Sequence, residues 1–237
     1  MFSKYLLPPD VFIRHWLIAK ELEKIPDLKS VLDVGGSLGE FRKFRDDLKV
    51  VTVDVIGGDV IYDGDRLPFK DCSFDAVVSI DTLEHIPPAK RIGLIGELAR
   101  VAGKQLVIIA PYASAAHLEH EKKLKMDFET NGKAVPDYLK EHLRYGLVTQ
   151  GQINEITTRY DLSSKLAGRV AMDNVNFLVH MFEIKQGKLN RIIYLMKFGW
   201  NLVINLFLTV IPMAGDRSNA SRAILVRNPI RIIRMNS

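Results

Sequence analysis

Apolar and polar positions follow two different rhythms along this chain, and the switches between them mark its elements. Over residues 10–24 (DVFIRHWLIAKELEK), Val11, Phe12, His15, Trp16, Ile18, Ala19 and Leu22 recur at spacings of three and four, the stripe of an amphipathic helix. Asp10 suits its N-cap, and Pro26 follows its end. The period then shortens. Ser30–Val34 is a β-rich run that stops in Gly35-Gly36-Ser37-Leu38-Gly39, and Phe41, Phe44 and Leu48 follow at helical spacing. Lys49–Val53 reads as a second strand ending at Asp54, with further strands over Phe74–Ile80 and Gln105–Ala110. A helix over Ala89–Val101 separates the last two, with Gly103 placed as its C-cap.

Continuously apolar strands alternating with helices predict a parallel sheet covered on both faces. Right-handed crossovers then restrict the topology. In such sheets the ligand crevice lies at the carboxyl ends of the strands. Here those ends hold Asp33–Gly39, Asp54–Gly58, Asp81–His85 and Pro111–Ala113, where glycine, carboxylate and histidine collect. Residues 117–146 are charged and predict helices covering the crevice. A further helix is expected over 151–162, a strand over 165–172, helices over 175–186 and 189–211, and a final strand at Ala223–Val226.

With 237 residues, 47% of them apolar and 26% charged, the chain has the composition of a folded domain and not of a disordered one. The length suits one domain with an elaboration. A single cysteine, Cys72, excludes an intramolecular disulfide framework and a cysteine-rich zinc site, and points to a reducing, cytoplasmic compartment. Residues 1–10 lack the long apolar core of a secretory signal. The net charge of +5 is a property of the tail. Residues 185–237 carry nine Lys and Arg against Asp216 alone, whereas the first 184 residues carry 24 basic and 27 acidic side chains. A nucleic-acid-binding body is therefore not expected, and any anionic partner belongs near the C-terminal fifth.

The strand–GGSLG–helix unit is the first chemical signal. Its glycines let backbone approach a ligand without an intervening Cβ, and the next helix would point free N–H groups into the same space. Asp54, at the end of the second strand, can accept hydrogen bonds from two ribose hydroxyls. The dinucleotide pattern G-x-G-x-x-G is absent, which argues against a bound pyrophosphate and against a nicotinamide dehydrogenase.

The run VLDVGGSLGEF, the strand end VTVD and the stretch DGDRLPFKDCSFDAVVSIDTLEHIP resemble the class I S-adenosylmethionine-dependent methyltransferases, in particular the small-molecule type with an LPF…FD…LEH signature. The resemblance covers about residues 30–112. It implies a Rossmann-like, mainly parallel seven-stranded α/β sheet with helices on both faces, in a single domain over 1–237. Residues 25–112 would be the cofactor core, 113–162 and 174–215 helical cover or lid segments, and 221–228 the last strand. The family's first strand ends in D-x-G-x-G-x-G; Asp33, Gly35 and Gly39 match, while Ser37 stands at the middle glycine and Gly36 adds freedom beside it.

Carried over residue by residue, the resemblance makes S-adenosylmethionine the cofactor and S-adenosylhomocysteine its product. Asp33 and the backbone of Gly35, Gly36, Ser37 and Gly39 would hold the methionine portion. Asp54 would take the ribose, Val55 the adenine face, Asp63 with Gly64 the adenine amino group, and Asp81 the methionine end. Two of these carboxylates have local alternatives: Asp63 and Asp65 as turn formers around Gly64, and Asp81 as an N-cap. His85, the histidine of the LEH run, is the candidate catalytic group, as a base or in positioning the acceptor; its alternative is capping or packing the next helix start through Glu84 and Pro87. His117 and His120 share a helix face that reads as solvated, and no metal site is expected. His142 lies in a cover segment, either lining an acceptor pocket or as a surface or core histidine.

Residues 189–211 form a largely apolar helix with a narrow polar stripe of Asn190, Tyr194, Lys197, Asn201 and Asn205. Three readings compete: a lid over a hydrophobic acceptor, ranked first, an interfacial helix on an anionic membrane surface, and a transmembrane span, ranked last. The function expected overall is methyl transfer to a small or lipid-like acceptor, without nucleic acid, in a cytoplasmic protein with peripheral membrane contact left open. The rival is a non-catalytic cofactor-binding or membrane-surface module of the same fold.

Overall fold

The computed structural model describes residues 3–168, 188–210 and 214–228. Seven strands form one sheet: β1 (Ser30–Val34), β2 (Lys49–Asp54), β3 (Val60–Ile61), β4 (Phe74–Ile80), β5 (Ala102–Pro111), β6 (Leu162–Ala167) and β7 (Arg222–Arg227). Their order is β3-β2-β1-β4-β5-β7-β6. Strands β1 to β5 pair in parallel, and β7 runs antiparallel to both of its neighbours. From β1 the chain winds outward through β2 and β3, then returns to β4 on the other side of β1. The carboxyl ends of β1 and β4 therefore flank the point where the winding reverses, the place where such sheets open a crevice.

Alternate residues of the central strands feed two cores, as the expectation of a sheet covered on both faces requires. On one face Leu32, Val34, Val77, Leu106 and Ile108 pack against α2 (Pro88–Val101) and α5 (Gln150–Tyr160). On the other, Val31, Ala76, Val78, Val107 and Ile109 pack against Phe12, Ile18 and Leu22 of α1 (Pro9–Glu23). Two further helices, α3 (Ala115–Thr130) and α4 (Asp137–Tyr145), contribute side chains to the cavity at the carboxyl ends of the strands. The fully buried Arg91 of α2 fastens the end of α4, donating to the carbonyls of Tyr145 (3.2 Å) and Gly146 (2.5 Å) and to Gln152 Oε1 (3.1 Å).

Several local expectations shift. Asp10 makes no cap hydrogen bond, because α1 starts at Pro9, a residue suited to a first turn that needs no N–H donor. After the glycine loop only a 3-10 turn forms, Glu40–Lys43, although Phe41, Phe44 and Leu48 are buried as their spacing suggests. Gly103 lies inside β5; a Cβ there would stand 3.1 Å from the Phe74 carbonyl, so close strand packing requires the glycine and no helix cap is involved. The strand expected over 165–172 is β6 at Leu162–Ala167. The helix expected over 175–186 lies outside the described residues.

The last helix, α6 (Lys188–Leu208), inverts the usual arrangement. Asn201 and Asn205 point inward. Asn201 Nδ2 donates to the Leu6 carbonyl (3.1 Å), and Asn205 Nδ2 to those of Tyr5 and Leu7 (both 2.9 Å). Both asparagines are buried, whereas Met196, Val203, Phe207 and Val210 are more than half exposed. Among the described residues none of α6 lines the crevice, and the helix packs against the N-terminal segment and α1. No helix of the described residues is long and apolar enough to cross a membrane.

Candidate active site

The glycine loop after β1 is shaped by two close approaches. Gly35 has φ +88°, and a Cβ on it would lie 2.3 Å from Thr82 Oγ1, in the loop that follows β4. A Cβ on Gly36 would lie 2.1 Å from Asp33 Oδ2. The loop thus folds down onto Asp33 and across to the β4 loop, where Thr82 Oγ1 donates to the Val34 carbonyl (3.3 Å). Side chains larger than hydrogen would open both contacts.

Asp33 is 1% exposed, and neither carboxylate oxygen has a hydrogen-bond partner among the described residues. Burial pushes its pKa up to about 7, against the pull of Arg42 and with some help from Asp54. It faces a cavity of about 730 Å³ that Gly35, Gly36, Ser37, Gly39, Asp81 and His85 also line. Seven of the eleven residues singled out in the sequence therefore meet around one space.

The other four, Asp54, Val55, Asp63 and Gly64, lie outside it, beyond the ends of β2 and β3. The loop that follows Asp54 approaches the glycine loop, since a Cβ on Gly57 would sit 3.4 Å from Ser37 Cβ. Asp54 Oδ1 accepts from the Ile56 N–H (3.2 Å). Val55 is exposed, and a Cβ on Gly64 would touch it at 3.4 Å. Asp63 Oδ1 accepts from the Asp65 N–H (3.0 Å), the turn geometry weighed as its alternative role.

Asp81 caps no helix. Its Oδ2 accepts from Arg14 of α1 at 2.6 Å and from Arg222 of β7 at 2.7 Å. Burial would push its carboxyl up, but Arg222 and Arg14 outweigh that and hold it below the usual carboxylate range. Sequence reasoning missed both arginines. Arg14 sits unremarked among the apolar positions of α1, and Arg222 reaches the site only through the placement of the last strand. Glu84 was noticed only as a neighbour of His85. It is 1% exposed, its Oε2 has no hydrogen-bond partner among the described residues, and burial together with Asp81 raises its pKa well above the ordinary value.

His85 does not cap or pack a helix start. Its Nδ1 lies 2.6 Å from Glu141 Oε2 of α4, and its ring faces the cavity. His142, also on α4, lines the cavity and places Nδ1 2.6 Å from the buried Glu121 Oε1 of α3. The two rings are 5.1 Å apart. His117 and His120 line the same cavity and do not form the solvated face expected of them. The backbone turn at Pro111–Ser114 sets α3 so that His117 Nδ1 reaches the Tyr112 carbonyl (3.1 Å), and burial lowers its pKa to about 4.

Residues 32–108 match the family model described as a methyltransferase domain. No curated protein matches the chain by sequence. Among solved structures, the chain resembles the magnesium protoporphyrin IX methyltransferase of Synechocystis, crystallised with S-adenosylhomocysteine. The TM-score is 0.50 at 15% identity, covering 92% of this chain and 86% of that one. A S-adenosylmethionine-dependent methyltransferase from Archaeoglobus fulgidus aligns with a TM-score of 0.47 at 14% identity, over 90% and 93% of the two chains. At 15% identity the likeness to the Synechocystis enzyme is one of fold. The match to a methyltransferase domain over residues 32–108 and the seven-stranded, mostly parallel sheet that carries it give the chain the fold of the class I S-adenosylmethionine-dependent methyltransferases.

Proposed function

We propose that the chain transfers a methyl group from S-adenosylmethionine to a small or lipid-like acceptor held between α1, α3 and α4. The observation that carries this reading is Asp33. A buried carboxylate with no partner is costly unless a cation meets it, and the methionine end of this cofactor brings an ammonium and a sulfonium. The bare backbone at Gly35, Gly36 and Gly39 leaves room for that end beside Ser37, so the residues present fit the group.

In this reading Asp54 accepts from the ribose, Val55 lies against the adenine and Asp63, with Gly64, borders the adenine amino group. S-adenosylmethionine supplies a methyl on a positively charged sulfur that needs no further activation. The work left to the chain is alignment of the acceptor and exclusion of water. Asp81 bears on the methionine end with its charge shared between Arg14 and Arg222, which ties α1 to β7 at the cavity. His85 is assigned to the acceptor: it stands on the cavity wall, held by Glu141, and its Nε2 is the nitrogen left for contact.

The lipid-like part of the proposal, and a peripheral membrane contact, rest on α6. An exposed apolar face on a helix whose Asn201 and Asn205 are buried, in the segment that carries the chain's excess of basic residues, suits the surface of an anionic membrane. The test is transfer of labelled methyl from S-adenosylmethionine into a lipid extract and into a pool of water-soluble acceptors. Label in the lipid phase supports the full reading, label only in the aqueous pool restricts it to small acceptors, and label in neither contradicts it.

A further inference from the structure

We propose that Glu84, His85 and His142 form a binding site for one divalent transition-metal ion on the acceptor side of the cavity. One donor atom from each of the three lies within 4.8 Å of the others, and His85 Nε2 is 3.9 Å from Glu84 Oε1. Metal–ligand bonds of about 2.0–2.2 Å bring such donors to roughly 3–3.5 Å from one another, a contraction of up to about 1.8 Å within reach of side-chain rotation.

Three features separate this cluster from an ordinary group of polar side chains. Glu84 is 1% exposed and its Oε2 has no hydrogen-bond partner among the described residues. Each imidazole is already held by a carboxylate at its Nδ1, His85 by Glu141 and His142 by Glu121, both at 2.6 Å. A carboxylate can only accept, so each Nδ1 carries the proton and each Nε2 keeps its lone pair in the neutral ring. That carboxylate–histidine arrangement is the one that fixes tautomer and orientation in metal sites. Two imidazoles and one carboxylate favour zinc or cobalt over manganese, magnesium or calcium, and three protein ligands leave positions open toward the cavity.

The inference rests on the reading of this cavity as the acceptor pocket and makes it more specific. The acceptor would present an oxygen to the open position of the ion, and His85 would position it through the metal instead of touching it directly. The test uses untagged, metal-stripped protein titrated with Co²⁺ by visible absorption, followed by Zn²⁺ displacement. We expect one Co²⁺ per chain with d–d bands that Zn²⁺ abolishes. His142→Ala and Glu84→Gln should each weaken Co²⁺ binding at least about tenfold, and Glu121→Gln by about tenfold, with native circular dichroism. If the buried Glu84→Gln does not fold, His142→Ala decides. No saturable Co²⁺ uptake, or uptake that the folded variants leave unchanged, overturns the site. S-adenosylmethionine binding is measured on the same metal-free protein. Cofactor binding without metal uptake overturns this inference alone, whereas metal uptake without cofactor binding supports it and overturns the reading of the cofactor loop.

Discussion

Gly36 and Asp33 are packed so closely that a Cβ on the glycine would stand 2.1 Å from the Asp33 Oδ2. The loop rests on the carboxylate, and the carboxylate faces the cavity, so the two positions act as one unit. Gly36→Ala should leave the sheet intact, since Gly36 lies outside both cores, but displace Asp33 at an overpacking cost of about 1–3 kcal/mol. The expected result is cofactor affinity reduced by at least tenfold in a calorimetric titration, with the domain still folded and its melting temperature lowered by about 2–4 °C per kcal/mol.

Asp33 also makes a prediction about pH. Its pKa of about 7 in the folded chain lies above the ordinary 3.8, so the folded state holds this proton more tightly than the unfolded state. The stability it contributes is full below about pH 4 and is lost as the pH rises through about 7. Asp33→Asn should therefore gain in stability relative to the parent across that window, measured by urea unfolding at pH 5 and pH 8. Cofactor affinity should run the other way in the parent, rising by up to about tenfold per unit between pH 6 and 7 as the carboxylate ionises for its cationic partner. In Asp33→Asn that slope should vanish.

The Asp81 carboxylate is shared by Arg14 and Arg222, and its loss would leave two guanidinium groups poorly balanced in a partly buried place. Asp81→Ala should cost about 3–5 kcal/mol in equilibrium unfolding. Unaltered stability with weakened cofactor binding would mean that the aspartate serves the ligand and not the link between α1 and β7.

The exposed face of α6 should bind vesicles that contain phosphatidylserine and leave phosphatidylcholine vesicles alone. The affinity should fall as salt is raised. Trp200, partly exposed on this helix, supplies the readout as a blue-shifted fluorescence on binding. Phe207→Asp and Val203→Asp should abolish the shift without unfolding the domain, because both side chains are exposed.

The sequence made the sheet legible because burial on both faces leaves strands as unbroken apolar runs, and β1, β2 and β4 fall at Ser30–Val34, Lys49–Asp54 and Phe74–Ile80, where those runs lie. The glycine loop and His85 were legible for a similar reason, since their chemistry is encoded in neighbouring residues. Arg14, Arg222, Glu121 and Glu141 were not, because each meets Asp81, His85 or His142 from an element distant in sequence and each resembles a surface charge when read alone. The face of α6 was inverted for a physical reason. A polar stripe ordinarily marks the wet side of a helix, but Asn201 and Asn205 satisfy carbonyls of the N-terminal segment, and the apolar side is left outward. The shortness of the turn after Gly39 was also hidden, since Phe41 and Phe44 bury equally well from a 3-10 turn.

The most direct test of the whole account is calorimetric titration of the purified protein with S-adenosylmethionine and S-adenosylhomocysteine, alongside NADH and the variants Asp33→Asn and Asp54→Ala. The account predicts saturable binding of the first two ligands, none of NADH, and affinity weakened at least tenfold in both variants while the fold survives. Absence of binding by the parent, or equal binding by the variants, would contradict the assignment of the glycine loop and its two carboxylates to the methyl donor.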